Sequence, residues 1–398
     1  MISVLQAQAL IDQRGGPLSG EAVSLAQAHG RVLREPVASS EDLPPFDRSA
    51  MDGYAIRIDD DAKQFEVIGE IRAGQSIDLK LRPGQAIRIF TGARLPGPEL
   101  KVVMQEDVDV NGQRLLITKP GSASHVRKRG EDARAGEILL KPGQVLDATA
   151  LAVLASVGKT APLVSAIPRI LHLTTGDEIV APDETPAEGQ IRNSNASLIA
   201  GLCREQGIDA ITHRHAGDDL AAMAAVCAEA KAEMFDLVLI SGGSGGGTYD
   251  FSIEFITSLN AIVHFQSVNV RPGKPLIFAT NSRQVIFGLP GNALSHFVCF
   301  HLFVRRALDR LLARPMPATT QGFLVETMPE TMNARETWWP AQASLKESRL
   351  ECRALPWKSS GDITRLPAAN ALMQVPASTS HLAVGTMVKL LLTRNLIS

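Results

Sequence analysis

Residues 240–250 read ISGGSGGGTYD, five glycines in eleven positions, ending on Asp250. They follow the apolar run FDLVLI and precede FSIEFITSL, which has helical spacing. Glycine turns expose backbone N–H groups, and a helix N-terminus adds partial positive charge, so a strand–glycine–helix passage suits an anion. The spacing is neither G-x-G-x-x-G nor a P-loop, because Thr248 stands where the P-loop needs lysine. Glycine content alone does not separate an anion cradle from a flexible connection. Asp250 sharpens the choice. A carboxylate beside a phosphate repels it unless a divalent cation lies between, and Mg²⁺ is usually held by one or two carboxylates plus substrate phosphates. A second acid is then needed from a neighbouring strand end. TTGDE (174–178) offers Asp177 and Glu178, and AGDD (216–219) offers Asp218 and Asp219. Each also suits a helix cap. Three acidic strand-end turns on one sheet edge favour a site over three separate caps.

Other residue groups add to this chemistry. NVRPGKPLIF brings Arg271 and Lys274, a fixed guanidinium and a mobile ammonium that suit oxyanions, although Pro-Gly alone accounts for a turn there. GLPGNALSH (288–296) brings N–H donors, Asn292 and Ser295 to the start of a long apolar helix, with helix capping as the plainer reading. His213 and His215 share a strand face, but no third ligand accompanies them, and a surface or strand-end placement is expected. VRKRGED (126–132), as an isolated charge run, is expected to be solvated.

The elements that must position these turns follow from periodicity and punctuation. From Arg169 to about Ala313 strand-type and helix-type runs alternate, which implies a parallel α/β sheet with its ligand crevice beyond the C-terminal strand ends. The domain organisation expected is an elongated helical domain from residues 1–40 and 141–168, an inserted β domain at 41–140, an α/β domain at 169–314 and a small C-terminal β-barrel or sandwich at 315–398. Residues 1–40 read as two helices, stopping at Gly15–Gly16 and near Gly30, and the short β runs of 41–140 read as antiparallel.

Net charge is −2 and aromatics make up 5%, so neither charge nor stacking points to nucleic acid. The four cysteines, Cys203, Cys227, Cys299 and Cys352, form no C-x-x-C pair, which argues against a zinc site or disulfide framework, and three of them, in apolar helical contexts, are expected as core residues. The first residues lack a secretory signal and no apolar run is long enough for a bilayer, so a soluble cytoplasmic protein without membrane partners is expected.

As a set, PPFDRSAMDGYA (44–55), FTGARLP (90–96), VRKRGED, TTGDE, SGGSGGGTYDF (241–251), RPGKP (271–275) and LPGN (289–292) resemble, in order and rough spacing, the molybdopterin molybdenumtransferases, the MoeA and gephyrin E-domain family. The resemblance implies a molybdopterin-binding α/β domain, the inserted β domain, an elongated helical part and a C-terminal barrel. It implies a homodimer whose active cleft is lined by both protomers. The implied activity inserts molybdenum from molybdate into adenylylated molybdopterin, with Mg²⁺ and release of AMP. By motif match it implies catalytic roles for Asp52, Thr91, Glu178, Asp218 and Asp250, with Glu178 and Asp250 on the metal. It implies substrate binding by Thr175, Gly176, Asp177, Ser241, Gly242, Gly243, Arg271, Gly273, Lys274, Pro290, Gly291, Asn292 and Ser360. A molybdopterin adenylyltransferase and molybdoenzyme chaperones are the implied partners. The sequence departs from the family's habit at Ser244–Gly247, where V-S-V-G is usual, at Ser267, where a basic residue is frequent, and at Pro340, where an arginine follows the aromatics. A paralogue that binds molybdopterin or a nucleotide as a carrier, without insertion, is the alternative reading.

Overall fold

Apolar, β-branched runs bounded by glycine and asparagine turns build a six-stranded sheet from residues 170–289. Its strands are β1 (Ile170–Thr175), β2 (Ile211–Ala216), β3 (Leu237–Ser241), β4 (Ile262–Phe265), β5 (Ile277–Thr280) and β6 (Val285–Leu289), in the order β2-β1-β3-β6-β5-β4. The computed structural model describes the whole chain except residues 120, 218–219, 243–250, 329–332, 380, 395 and 397–398. β1, β2, β3 and β6 run parallel, as the alternation predicts, whereas β5 is antiparallel to both its neighbours. The short connection between β5 and β6 permits only a hairpin, because a parallel crossover needs a dozen or more residues. Every residue of β1, β3 and β6 is buried, which fits strands covered on both faces.

Helices α1 (Ser194–Glu205), α2 (Leu220–Ala232), α3 (Phe251–Ser258) and α4 (Ala293–Cys299) cover the sheet. Leu171, Leu173, Val238 and Ile240 pack with Met223, Val226 and Phe255 on one face. Ile170, Leu237, Leu239 and Phe287 pack with Ile199, Leu202, Leu294 and Phe297 on the other. α4 continues through a π-helical segment, Phe300–Val304, into Arg305–Leu311. Asn193 caps α1 by accepting the Ala196 N–H at 3.0 Å.

The inserted β sheet runs Leu100–Met104, Gly53–Arg57, Gln85–Ile89, Gln64–Ile71, Arg114–Ile117, Val108–Asn111. It is mixed, not wholly antiparallel, since Gln64–Ile71 and Gln85–Ile89 pair in parallel. Thirteen residues separate the two strands, enough chain for a crossover that local pattern does not reveal. A helix caps off as expected at Val4–Arg14, with a Ser3–Gln6 capping box. The second expected helix shrinks to Leu25–Ala28, because Gly20–Ala22 pairs as a strand with Leu163–Ser165 far along the chain. Long-range pairing overrides local helical spacing there. Ala148–Ser156, capped by Asp147, packs with Ala28 and Leu33.

The C-terminal strands close into a small barrel, with Glu336–Lys346 pairing both Arg349–Ala354 and Ala371–Val375. A two-residue strand, Val270–Arg271, joins this sheet in parallel with Glu336–Thr337. The run AIVHFQSVNV (261–270) is thus divided between two sheets. All four cysteines are buried free thiols. Among the described residues no helix is long and apolar enough to cross a membrane.

Candidate active site

The C-terminal ends of β1, β3 and β6 lie side by side, so the turns after them converge. Thr175 ends β1 and is buried. Gly242, just past β3, has φ +106, and a Cβ there would lie 2.7 Å from Thr175 Oγ1 and 2.9 Å from its carbonyl oxygen. Only glycine lets these two strand ends approach so closely. Gly176 has φ +125, and the Glu178 carboxylate folds back over it, its Cδ 2.8 Å from where a Cβ would sit. Asp177 and Glu178 are both exposed, and the Asp177 carboxylate stands against Gly217. Ser252 Oγ donates to the Gly242 carbonyl at 2.9 Å, tying the start of α3 to the end of β3. Gly243, Asp218 and Asp250 lie outside the described residues.

A second cluster joins the α/β sheet to the barrel. Asn292 Nδ2 donates to Ser360 Oγ at 2.8 Å, and the Leu294 N–H donates to the Ser360 carbonyl at 3.0 Å. Asn195 Nδ2 donates to the Gly291 carbonyl at 2.8 Å. Pro290 is buried, and Gly291 and Asn292 are exposed. The Arg271 guanidinium lies 5.0 Å over the Trp357 ring, and Arg335 Nη1 donates to the Val270 carbonyl at 3.2 Å. Burial first, and the Arg335 charge second, push the pKa of Arg271 down; a guanidinium starts high enough to stay charged at neutral pH. Gly273 is buried and Lys274 exposed. Arg271 thus puts a cation beside the seam between sheet and barrel, with Lys274 exposed three residues along.

Asp52 and Thr91 meet on the inserted β domain. Asp52 Oδ1 accepts both the Thr91 N–H and the Thr91 hydroxyl at 2.7 Å. The Thr91 backbone bond, followed by its hydroxyl, holds the Asp52 carboxyl below the usual carboxylate range. The VRKRGED run is ion-paired, not merely solvated: Lys128 Nζ lies 2.9 Å from Asp47, Arg129 Nε 2.7 Å from Asp42, and Arg127 pairs with Asp132. A groove of about 1190 Å³ opens on this domain, lined among others by Pro45, Phe46, Asp47, Arg94 and Arg129.

Several residues at the strand ends escape sequence reasoning. His172 Nε2 and His296 Nε2 each lie 2.6 Å from Ser241 Oγ, so the Ser241 hydroxyl is engaged inside the sheet. Thr174 Oγ1 accepts from Asn193 Nδ2 at 3.0 Å and lies 3.1 Å from both His213 Nε2 and His215 Nδ1. The two histidines expected at a strand end are therefore partnered by a buried threonine. Among the described residues no group of three or more His, Cys, Asp or Glu is arranged to hold a metal. His172 sits alone in an apolar run, and His296 four residues after Asn292; the one usable signal was that i, i+4 spacing on a helix.

Comparison with known proteins assigns the chain. Residues 2–158 match the MoeA N-terminal region (domains I and II), residues 172–310 a probable molybdopterin binding domain, and residues 330–393 the MoeA C-terminal region (domain IV). A molybdopterin molybdenumtransferase of Nostoc sp. is 35% identical over 385 residues, covering 93% of this chain and 88% of the relative. The chain belongs to the MoeA family of molybdopterin molybdenumtransferases. Another MoeA-family relative, the molybdopterin molybdenumtransferase of Staphylococcus epidermidis, is 30% identical, covering 99% of this chain and 96% of the relative. The crystal structure of a MoeA protein of molybdopterin biosynthesis from Pyrococcus horikoshii superposes with a TM-score of 0.83 at 29% identity, over 99% of this chain and all of that one. The α/β sheet, mixed β domain and closed C-terminal barrel are thus the MoeA architecture.

Proposed function

We propose that this chain is a molybdenum insertase of molybdenum cofactor biosynthesis. It transfers molybdenum from molybdate to adenylylated molybdopterin, with Mg²⁺, and releases AMP. The observation that supports the reading is the convergence at one sheet edge of the TTGDE turn, Gly242 and the LPGN turn, with Arg271 at the neighbouring barrel seam. A pyrophosphate needs N–H donors and a tetrahedral dianion needs cations, which the strand-end turns and Arg271 would supply. Arg271, steadied by the Trp357 ring, and Lys274 would orient molybdate. Asn292, fixed by Ser360, would hold the LPGN turn against the pterin-bearing substrate.

The exposed Glu178 carboxylate suits Mg²⁺. Exposed carboxylate oxygens at a strand end are hard ligands, and this ion is satisfied by one or two of them when substrate phosphates complete its shell. Glu178 and Asp250 would hold it, and its charge would offset that of the pyrophosphate. Asp52 and Thr91 belong to the inserted β domain, and the reading includes a homodimer in which they face the α/β cleft of a second copy. It also includes a cytoplasmic location and a molybdopterin adenylyltransferase as the supplier of substrate.

The test is AMP release from adenylylated molybdopterin by the purified protein with molybdate and Mg²⁺. Molybdate-dependent release is expected, falling at least about a hundredfold in Asp250→Ala. Tight binding of the adenylate without release would favour the carrier alternative and overturn the insertase reading.

A further inference from the structure

Beneath the strand ends runs a line of polar side chains that the insertase reading leaves unused. His172 of β1, Ser241 of β3 and His296 of α4 are 0%, 2% and 0% exposed. Ser241 Oγ lies 2.6 Å from Nε2 of each ring, and His296 Nδ1 lies 3.2 Å from the Asn292 carbonyl oxygen. Asn292 in turn donates through Nδ2 to Ser360 of the barrel.

The hydrogens along this line are determined by what each atom is able to do. A carbonyl oxygen only accepts, so His296 Nδ1 carries a hydrogen. A neutral imidazole carries only one, so His296 Nε2 accepts and the Ser241 O–H donates to it. The Ser241 oxygen then accepts from His172, whose hydrogen sits on Nε2. His172 Nδ1 is left as a lone pair, without a partner among the described residues. Burial is the main reason that both rings stay neutral: it pushes His296 down to about 4 and His172 well below its ordinary value. Every donor therefore points the same way, from β1 through β3 to the first turn of α4.

We propose that His296 is a positioning residue for the molybdenum-transfer site, and that the chain His172–Ser241–His296–Asn292 sets the LPGN turn and Ser360 at a fixed place relative to the strand end that opens the glycine-rich stretch. The proposal rests on the insertase reading for what is being positioned. Apolar side chains of similar volume would pack these positions at least as favourably. What the polar chain adds is one rotamer and one register for each side chain that it engages. The three elements it joins come from distant parts of the sequence. They carry Thr175 and Glu178, Gly242, and Asn292 respectively, so a slip of one against another would misplace a substrate-binding group by about the ångström that matters to transfer.

The first test is the histidine ¹H–¹⁵N spectrum of the full chain, with ring signals assigned by single substitutions. His296 is expected as the Nδ1–H tautomer and His172 as the Nε2–H tautomer; the opposite tautomer on either ring overturns the chain. The second test is kinetic. Asparagine in His296→Asn retains a donor near the Nδ1 position and loses the contact with Ser241, whereas Ser241→Ala removes the link itself. Each is expected to raise KM for adenylylated molybdopterin about five- to tenfold, with a smaller fall in kcat, and the double variant to go no further than either single one. Additive effects, or a fall confined to kcat, overturn the proposal. If the wild-type chain releases no AMP, the insertase reading fails, and the positioning chain is then decided by the tautomers together with exchange of the Leu294 amide, which Ser360 accepts. About tenfold faster exchange in His296→Asn supports the chain, and unchanged exchange sinks it.

Discussion

His296 and His301 stand five residues apart on one helix, both buried, and their surroundings treat them in opposite ways. His296 has partners for both ring nitrogens, Ser241 on one side and the Asn292 carbonyl on the other. His301 sits in the π-helical segment, packed edge-on to Phe297 at 4.6 Å and near Phe300 at 5.7 Å, and neither of its nitrogens has a partner among the described residues. The first ring belongs to a line that ends at the LPGN turn; the second fills space in an aromatic layer. Of these two buried rings, the one that reaches the LPGN turn has both nitrogens engaged and the other is left as packing. π segments insert one extra residue and turn the helix face. Here His296 lies before the segment and His301 within it.

The largest way to break this comparison is Ser241→Ala. It leaves His172 Nε2–H and His296 Nε2 buried without a partner, and a loss of about 2–4 kcal/mol in chemical denaturation is expected. A loss under about 1 kcal/mol would make the two histidines equivalent. Next is His301→Phe, expected within about 1 kcal/mol of wild type at neutral pH, because no hydrogen bond is lost. Acid should then separate the two proteins. Burial, with Arg305 and Arg394 adding to it, pushes His301 down to about 3, while an unfolded histidine titrates near 6.5. The unfolded chain takes up the proton first, so this group's contribution is intact above about 6.5 and is lost as pH falls from there toward about 3. His301→Phe removes that loss, and by about pH 5 the variant should be ahead by about 2 kcal/mol, read from urea midpoints. An unchanged acid limb would contradict a neutral buried ring. The smallest effect belongs to Ser360→Ala, which removes the acceptor for Asn292 Nδ2 at an exposed seam. About 0.5–1 kcal/mol is expected, as a small drop in Tm. A larger drop would show the seam to be as demanding as the buried line.

The parts of this molecule legible in sequence are those where the backbone itself demands a residue type. Gly176 and Gly242 carry positive φ at the strand ends, Asn193 and Asp147 cap helices, and the Pro-Gly pairs mark turns. Such signals are local, so the β-α alternation and the position of the crevice follow from them. Contacts that depend on residues far apart in the chain leave no local trace. Nothing near Gly20 announces its pairing with Ser165, and nothing near His172 announces Ser241 or His296. The run from Ala261 to Val270 looks continuous, because pattern does not say which sheet will claim its last residues. Ser241 shows the same limit from the other side: its place before the glycines was plain, but the direction of its hydroxyl depended on two rings from other elements.

The pairing of Val270–Arg271 with Glu336–Thr337 bears on how the crevice can open. That strand leaves the α/β sheet after β4 and returns to it at β5, yet its hydrogen bonds belong to the barrel. If the barrel swings relative to the sheet, Arg271 travels with the barrel while Thr175 and Gly242 remain behind with the sheet. The flanking segments hold to the sheet side: the Val268 N–H donates to the Lys274 carbonyl at 3.0 Å, Ile2 pairs with Val268, and Val268 and Leu276 are buried. Under the insertase reading, loading of an oxyanion and grip on a pyrophosphate would then be mechanically separable events, governed by one two-residue pairing.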